Sequence, residues 1–151
     1  MTSFLWTDGS NKDFQEFYRK TEEYYSKLVG GACNRADFIP YNLSESISDV
    51  LIAYSDGTAV GCAGLKQYSD NDVEVKRVWV DPAYRGKHIA TEIMNRIEEK
   101  ARRMNYVRAV LQTRPVMTDA ISLYERRGYK VIDNYPPYDK LDGAVCMALV
   151  L

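Results

Sequence analysis

The 151-residue chain predicts an α+β domain, a single mixed, mostly antiparallel, twisted sheet of about seven strands flanked by about four helices. Three observations lead there. Residues 49–80 read as consecutive strands joined by tight turns, the pattern of an antiparallel meander. Residues 73–113 read as strand, helix, strand, which demands a parallel pair and a right-handed crossover. The chain is 46% hydrophobic, and at this length that supplies one core burying roughly 68–70% of the unfolded surface, with no material for a second domain.

The elements follow in order. "SFLW" is a short strand closed by the turn-like "TDGSN", in which Ser10 or Asn11 can cap a helix. From Lys12 to Val29, Phe14, Phe17, Tyr18, Tyr24, Tyr25 and Leu28 fall mostly on one stripe, and Gly30 and Gly31 end it. Ala32 to Ser48, with mixed polarity and Pro40, reads as a loop with one short helix. "DVLIAY" and "TAVGCAGLKQY" flank Asp56 and Gly57, a hairpin signal because the glycine tolerates positive φ. "SDND" turns into the strand "VEVKRVWV". Ile89, Ile93, Ile97 and Ala101, with Ala90, Met94 and Met104, form a helical stripe ended by Asn105 as C′ residue. "YVRAVLQT" is the next strand, "MTDAISLYERRG" a shorter helix ended by Gly128, "YKVIDN" a strand, "YPPYDKLDG" a turn and "AVCMALV" the last strand. That last strand is apolar on both faces, which suits a central strand or a dimer seam. Monomer and homodimer both stay open.

The formal net charge of −1 argues against nucleic acid as a partner, since such domains are strongly basic. Cys33, Cys62 and Cys146 are odd in number and lack CxxC spacing, so they read as small buried hydrophobes in a reducing compartment. His88 is the single histidine, so no metal centre is expected, and a Ser-His-Asp or Cys-His hydrolase would have to be built on it. The N-terminus has no signal-peptide pattern and no apolar run approaches membrane-spanning length. The expectation is a soluble cytoplasmic protein without membrane contact.

Residues 81–94, "DPAYRGKHIATEIM", place Arg85, Gly86 and Lys87 where a helix begins. The peptide dipole is already positive there, and the first amides lack intrahelical partners, so an anion reconciles the cations with the helix. Gly86 permits the left-handed backbone such a loop needs. Alone, the same residues also fit a solvated basic turn.

The wider context removes that ambiguity. "VEVKRVWVDPAYRGKHIATEIMNRIEEKA", followed by "AISLYERRGYKVI", resembles the GNAT superfamily of acyl-CoA-dependent N-acyltransferases. Residues 85–90 match its (R/Q)-x-x-G-x-(G/A) motif at Arg85 and Ala90, with His88 where the second glycine is usual; that substitution is accommodated if His88 is already helical. Ala120, Ile121, Leu123, Tyr124, Gly128 and Tyr129 match the motif A-I-x-L-Y-x-x-x-G-(Y/F), and Met117 stands where an asparagine often touches the CoA arm. The resemblance implies a GNAT fold over a single domain, residues 1–151, and acetyl-CoA as co-substrate without a metal. It implies a cofactor site of Val78, Trp79, Val80, Arg85, Gly86, Lys87, His88, Ile89, Ala90, Met117 and Tyr124. The Val78 N–H would polarise the thioester carbonyl and the backbone at Val80 would pair with the pantetheine arm.

Amine attack on a thioester needs a neutral amine, oxyanion stabilisation and a proton for the thiolate. Simple alternation puts Glu74, Lys76, Val78 and Val80 on one face and Val75, Arg77 and Trp79 on the other. Glu74 would then take the ammonium proton, directly or through water, or it is a surface carboxylate balancing Lys76 or Arg77. Tyr124 would protonate the thiolate, a phenol of pKa near 10 facing a thiol of about 8.5, or it is a core aromatic. His88 sits at the phosphate end, away from the acyl group. For the acceptor, the resemblance points to the first helices and the last loop, where Tyr24, Tyr25, Asn34, Arg35, Tyr41, Tyr135 and Tyr138 lie. Arg35 or Arg77 would hold a carboxylate, unless these residues merely cap the core or face solvent. A small-molecule amine or amino-acid-like acceptor suits the near-neutral charge. The alternatives are a protein or peptide N-acetyltransferase and a non-catalytic acyl-CoA-binding module.

Overall fold

The computed structural model describes residues 1–28 and 47–151, and shows a seven-stranded mixed sheet flanked by three α-helices. The strands are β1 (Thr2–Thr7), β2 (Asp49–Ser55), β3 (Thr58–Gln67), β4 (Asp72–Val80), β5 (Arg108–Thr113), β6 (Lys130–Ile132) and β7 (Val145–Val150). The helices are α1 (Lys12–Leu28), α2 (Ile89–Arg103) and α3 (Thr118–Arg126). The sheet order is β1-β2-β3-β4-β5-β7-β6, antiparallel throughout except for the parallel β4–β5 pair. The hairpin at Asp56 and Gly57 has positive φ at both residues, 48° and 84°, as the sequence requires. Asn11 is the residue that caps α1, its Oδ1 accepting from the N–H of Asp13 and Phe14 at 2.8 and 3.2 Å. Asn105 is left-handed at φ 66°, ending α2 as expected. The central-strand reading of β7 is the correct one, since it lies between β5 and β6. The short helix expected within 32–48, with Cys33, Asn34, Arg35 and Tyr41, falls almost wholly outside the described residues.

Each face of the sheet carries its own apolar layer. Leu51, Leu65, Val73, Val75 and Leu111 pack against Ile93, Met94 and Ile97 of α2 on one face. Phe14 and Phe17 of α1 cover Val50, Ile52, Cys62 and Trp79 on the other. Further along that second face Val110, Cys146 and Ala148 pack under Tyr135 and Tyr138.

Two departures from regular pairing build the site. First, β4 pairs with β5 only at Asp72, Val73 and Glu74, then continues six residues to Val80 while β5 stays with β7. The two strands therefore part as a wedge. Second, the β3–β4 register runs from Gly64↔Lys76 to Cys62↔Trp79, so one residue of β3 faces both Arg77 and Val78. Arg77 absorbs this bulge with φ 57°. The alternation expected from sequence is wrong beyond that point: Val78 and Val80 pack with Val75 on the α2 face, while Trp79 joins the α1 face with Phe14 and Cys62. An extra residue shifts every later side chain by one face.

A buried carboxylate ties the helices bordering the wedge. Glu98 of α2 accepts a two-pronged contact from Arg127, Nε and an Nη each at 2.8 Å, and a hydrogen bond from the Tyr129 hydroxyl at 3.2 Å. Glu98→Ala leaves that guanidinium behind and is expected to lower the unfolding free energy by about 3 kcal/mol. Urea melts measure it; a loss under about 1 kcal/mol would mean the contact behaves as an ordinary surface pair.

Candidate active site

The wedge opens into a cavity of about 540 Å³ running between the start of α2 and α3. Its lining includes Val78, Trp79 and Val80 of β4, Arg85, Gly86, His88, Ile89 and Ala90 of the loop and helix start, and Met117 and Tyr124 of α3. Ten of the eleven residues expected for the cofactor thus meet at one cavity. Lys87 is the exception; its ammonium lies 5.2 Å over the Tyr84 ring. Tyr24, expected on the acceptor side, also lines the cavity and stacks edge-on against Trp79 at 5.1 Å.

The loop is built to present amides. Asp81 caps the short turn Pro82–Tyr84 through the Ala83 N–H at 2.9 Å. Arg85 folds back, its Nε donating to the Val80 carbonyl at 3.0 Å and its guanidinium lying 4.9 Å over Trp79. Gly86 is left-handed at φ 81°, and a Cβ there would meet open space. His88 is also left-handed, φ 62° and ψ 18°, and caps α2 without a side-chain hydrogen bond. It is therefore not helical, contrary to the sequence expectation. The first residues of this 15-residue helix line the cavity and no side-chain hydrogen bond caps them, an arrangement that suits a diphosphate.

Tyr124 is buried at the cavity wall, its ring 5.6 Å from that of Tyr129. Glu74 lies elsewhere. Its carboxylate is 6% exposed on the α1 face, accepting from the Tyr135 hydroxyl at 2.7 Å and the Lys76 ammonium at 3.3 Å, so it is no surface carboxylate. Lys76 also donates to the Tyr138 hydroxyl at 3.2 Å. Burial holds the Lys76 ammonium below its ordinary pKa, with Glu74 opposing; burial and then Glu74 push the Tyr135 phenol well up. Tyr135 and Tyr138, expected to wall the acceptor, are thus core groups that complete this cluster. Arg77 is likewise engaged: its guanidinium pairs with Glu22 at 2.6 Å and lies 4.2 Å over Tyr18, instead of standing open for a substrate carboxylate.

Sequence reasoning overlooked Tyr84, Val116, Ala120 and Leu123 as cavity residues. A signal was available for some of them, because Met117, Ala120 and Tyr124 stand at helical spacing on one stripe of α3. Glu22 and Cys62, which hold the bulge, had no such signal.

A mixed sheet that splits between β4 and β5, beside a helix start without a side-chain cap, places the chain in the class of α+β domains with an open central cleft. The Acetyltransferase (GNAT) family model matches residues 11–129, and the chain belongs to that family. It is 36% identical over 115 residues to N-acetylaspartate synthetase of Mus musculus, covering 71% of this chain and 38% of that protein. It is 33% identical over 89 residues to IAA acetyltransferase of Azospirillum brasilense, covering 58% of each. The chain therefore spans less than two thirds of either relative. Its fold matches the PaiA N-acetyltransferase of Thermoplasma acidophilum, solved in complex with coenzyme A, at a TM-score of 0.74 and 17% identity, over 100% of this chain and 99% of that one. Among the described residues, no helix is long and apolar enough to cross a membrane.

The left-handed His88 carries a Cβ where its backbone disfavours one. His88→Gly is expected to stabilise by about 1 kcal/mol, raising the melting temperature by about 2–4 °C, while CoA still protects. A lower melting temperature in calorimetry would contradict the strain at this residue.

Proposed function

We propose that the protein transfers the acetyl group of acetyl-CoA to the primary amine of a small, amino-acid-like acceptor by direct attack. The observation that carries this is the wedge itself: β4 leaves β5 after Glu74, and the space opens onto the amides of the α2 start at one side and Tyr124 at the other. When bound, acetyl-CoA supplies an activated thioester carbonyl. The amides of Gly86 to Ala90 hold the diphosphate, with Arg85 contributing charge. The Val78 N–H stabilises the oxyanion and the β4 edge at Val80 orients the arm. Tyr124 donates its phenolic proton to the departing thiolate. Glu74, whose carboxylate sits on the α1 face behind Tyr135 and Lys76, receives the ammonium proton only by a water relay through the apex of the wedge, where the β4–β5 pairing ends at Glu74 itself.

The amino-acid-like acceptor draws support from the similarity to N-acetylaspartate synthetase. With Arg77 paired to Glu22, Arg35 is the candidate left to hold an acceptor carboxylate, and it lies outside the described residues. The test is thiol release from acetyl-CoA against aspartate, other amino acids, simple amines and short peptides, alongside CoA-induced thermal stabilisation. Turnover with a free amino acid is expected. Transfer confined to peptides would favour a protein N-acetyltransferase, and CoA stabilisation without any transfer a non-catalytic binding module.

Tyr124→Phe is expected to lower kcat about a hundredfold with the KM for acetyl-CoA little changed, and Glu74→Gln to lower kcat by about the same factor at neutral pH. Full activity in either variant across the pH range would remove that residue from the reaction.

A further inference from the structure

The bulge in β4 draws one peptide unit, that joining Arg77 to Val78, out of the regular ladder. Its carbonyl end has an unusual partner. The Cys62 thiol on β3 donates to the Arg77 carbonyl at 3.3 Å. Cys62 is 1% exposed, enclosed by Phe14, Phe17 and Trp79.

The consequence comes from peptide geometry. A trans peptide is planar, and its C=O and N–H point in opposite directions. Anchoring the Arg77 carbonyl on Cys62 therefore aims the Val78 N–H away from β3 and the α1 face, to the side on which Val78 lines the cavity. A hydrogen bond accepted at the carbonyl also strengthens the N–H of the same unit as a donor, by about 10–30% in cooperative chains. Burial pushes the thiol pKa up to about 12, so the proton stays on sulfur throughout the neutral range. The Arg77 side chain is held independently, through Glu22 at 2.6 Å and the Tyr18 ring at 4.2 Å. The unit is thus fixed from β3 and from α1 at once.

We infer that Cys62 is a positioning residue for acyl transfer: its thiol proton orients and polarises the Arg77–Val78 peptide so that the Val78 N–H meets the thioester oxygen. This rests on the proposed use of the Val78 N–H. Cys62 itself touches neither cofactor nor acceptor, and its thiol is not a nucleophile here.

The test compares Cys62→Ser, which keeps a donor, with Cys62→Ala and Cys62→Val, which do not; Val is close to isosteric, so one donor-free variant remains if Ala fails to fold. The first readout needs no acceptor: the carbonyl stretch of acetyl-CoA carrying ¹³C at the carbonyl, bound to each protein, by isotope-edited infrared difference. The wild type and Ser variant are expected to show a stretch below that of free acetyl-CoA, and the donor-free variants one shifted back toward it. The second is turnover of whichever amine the wild type acetylates, with kcat down about tenfold in the donor-free variants, KM for acetyl-CoA little changed, and activity restored by Ser. A stretch lowered equally in every variant would overturn the role of Cys62 while leaving Val78 in place. A wild-type stretch no lower than free acetyl-CoA would overturn the Val78 reading and this inference together. Because neither outcome depends on the acceptor, failure of the amino-acid reading is recognised separately.

Discussion

The parting of β4 from β5 is the constraint on which the rest of the site depends. A parallel pair held over Asp72, Val73 and Glu74 alone is short, and it leaves six residues of β4 beside a gap where a sheet would ordinarily continue. Exposed strand edges pair with whatever extended chain fits them. Among the described residues the gap is framed by elements that do not close it. β5 is fully registered with β7 from Arg108 to Thr113, α2 covers the valine face, and α3 stands across the mouth.

The second half of the site is a backbone path that L-residues resist. Between the end of β4 and the first turn of α2 the chain adopts left-handed conformations at Gly86 and at His88, two residues apart. For glycine this is free of steric penalty, while for histidine it costs of order 1 kcal/mol. The strain is offset locally by the capped turn at Asp81 and the return of Arg85 to the Val80 carbonyl, which tie the loop back to the strand it left. What the strained path accomplishes is direction: it turns the α2 amides toward the same cavity that the open edge of β4 borders. Strand edge and helix start are products of one connection, and neither would reach a shared ligand without it.

How legible this was follows from which interactions are local. The meander, the β4-α2-β5 crossover and the end of α3 at Gly128 were readable because apolar period and turn chemistry are written in neighbouring residues, as at Asp56–Gly57 and at Asn105. The loop and helix start that border the cavity were readable for the same reason, since they are contiguous in sequence. The bulge was not. "VEVKRVWV" alternates without fault, and nothing within it says that Arg77 will turn left-handed; the causes lie at Cys62 and Glu22, 15 and 55 residues away. One missed residue of register then misplaced Val78, Val80 and Trp79. The packing of Tyr135 and Tyr138 against Glu74 and Lys76 was out of reach on the same ground, because those partners are more than 60 positions distant. Cavity residues on α3 such as Ala120 were within reach of periodicity and were simply overlooked.

The bulge also explains how a strand rich in charge can floor an apolar site. Had β4 kept strict alternation, Glu74 and Lys76 would share a face with Val78 and Val80. The extra residue gathers Glu74, Lys76 and Arg77 onto the α1 face, where each charge has an opposite partner, and leaves Val75, Val78 and Val80 together on the other. Field strength at a backbone donor depends on what surrounds it, since the same dipole acts more strongly where water and competing charges are excluded. Sorting the strand in this way leaves Val75, Val78 and Val80 packed together on the α2 face, with the ion pairs of β4 turned to the other face of the sheet. A single register shift accordingly does two jobs: it turns a peptide unit out of the ladder, and it clears the charges of β4 from the face that unit serves.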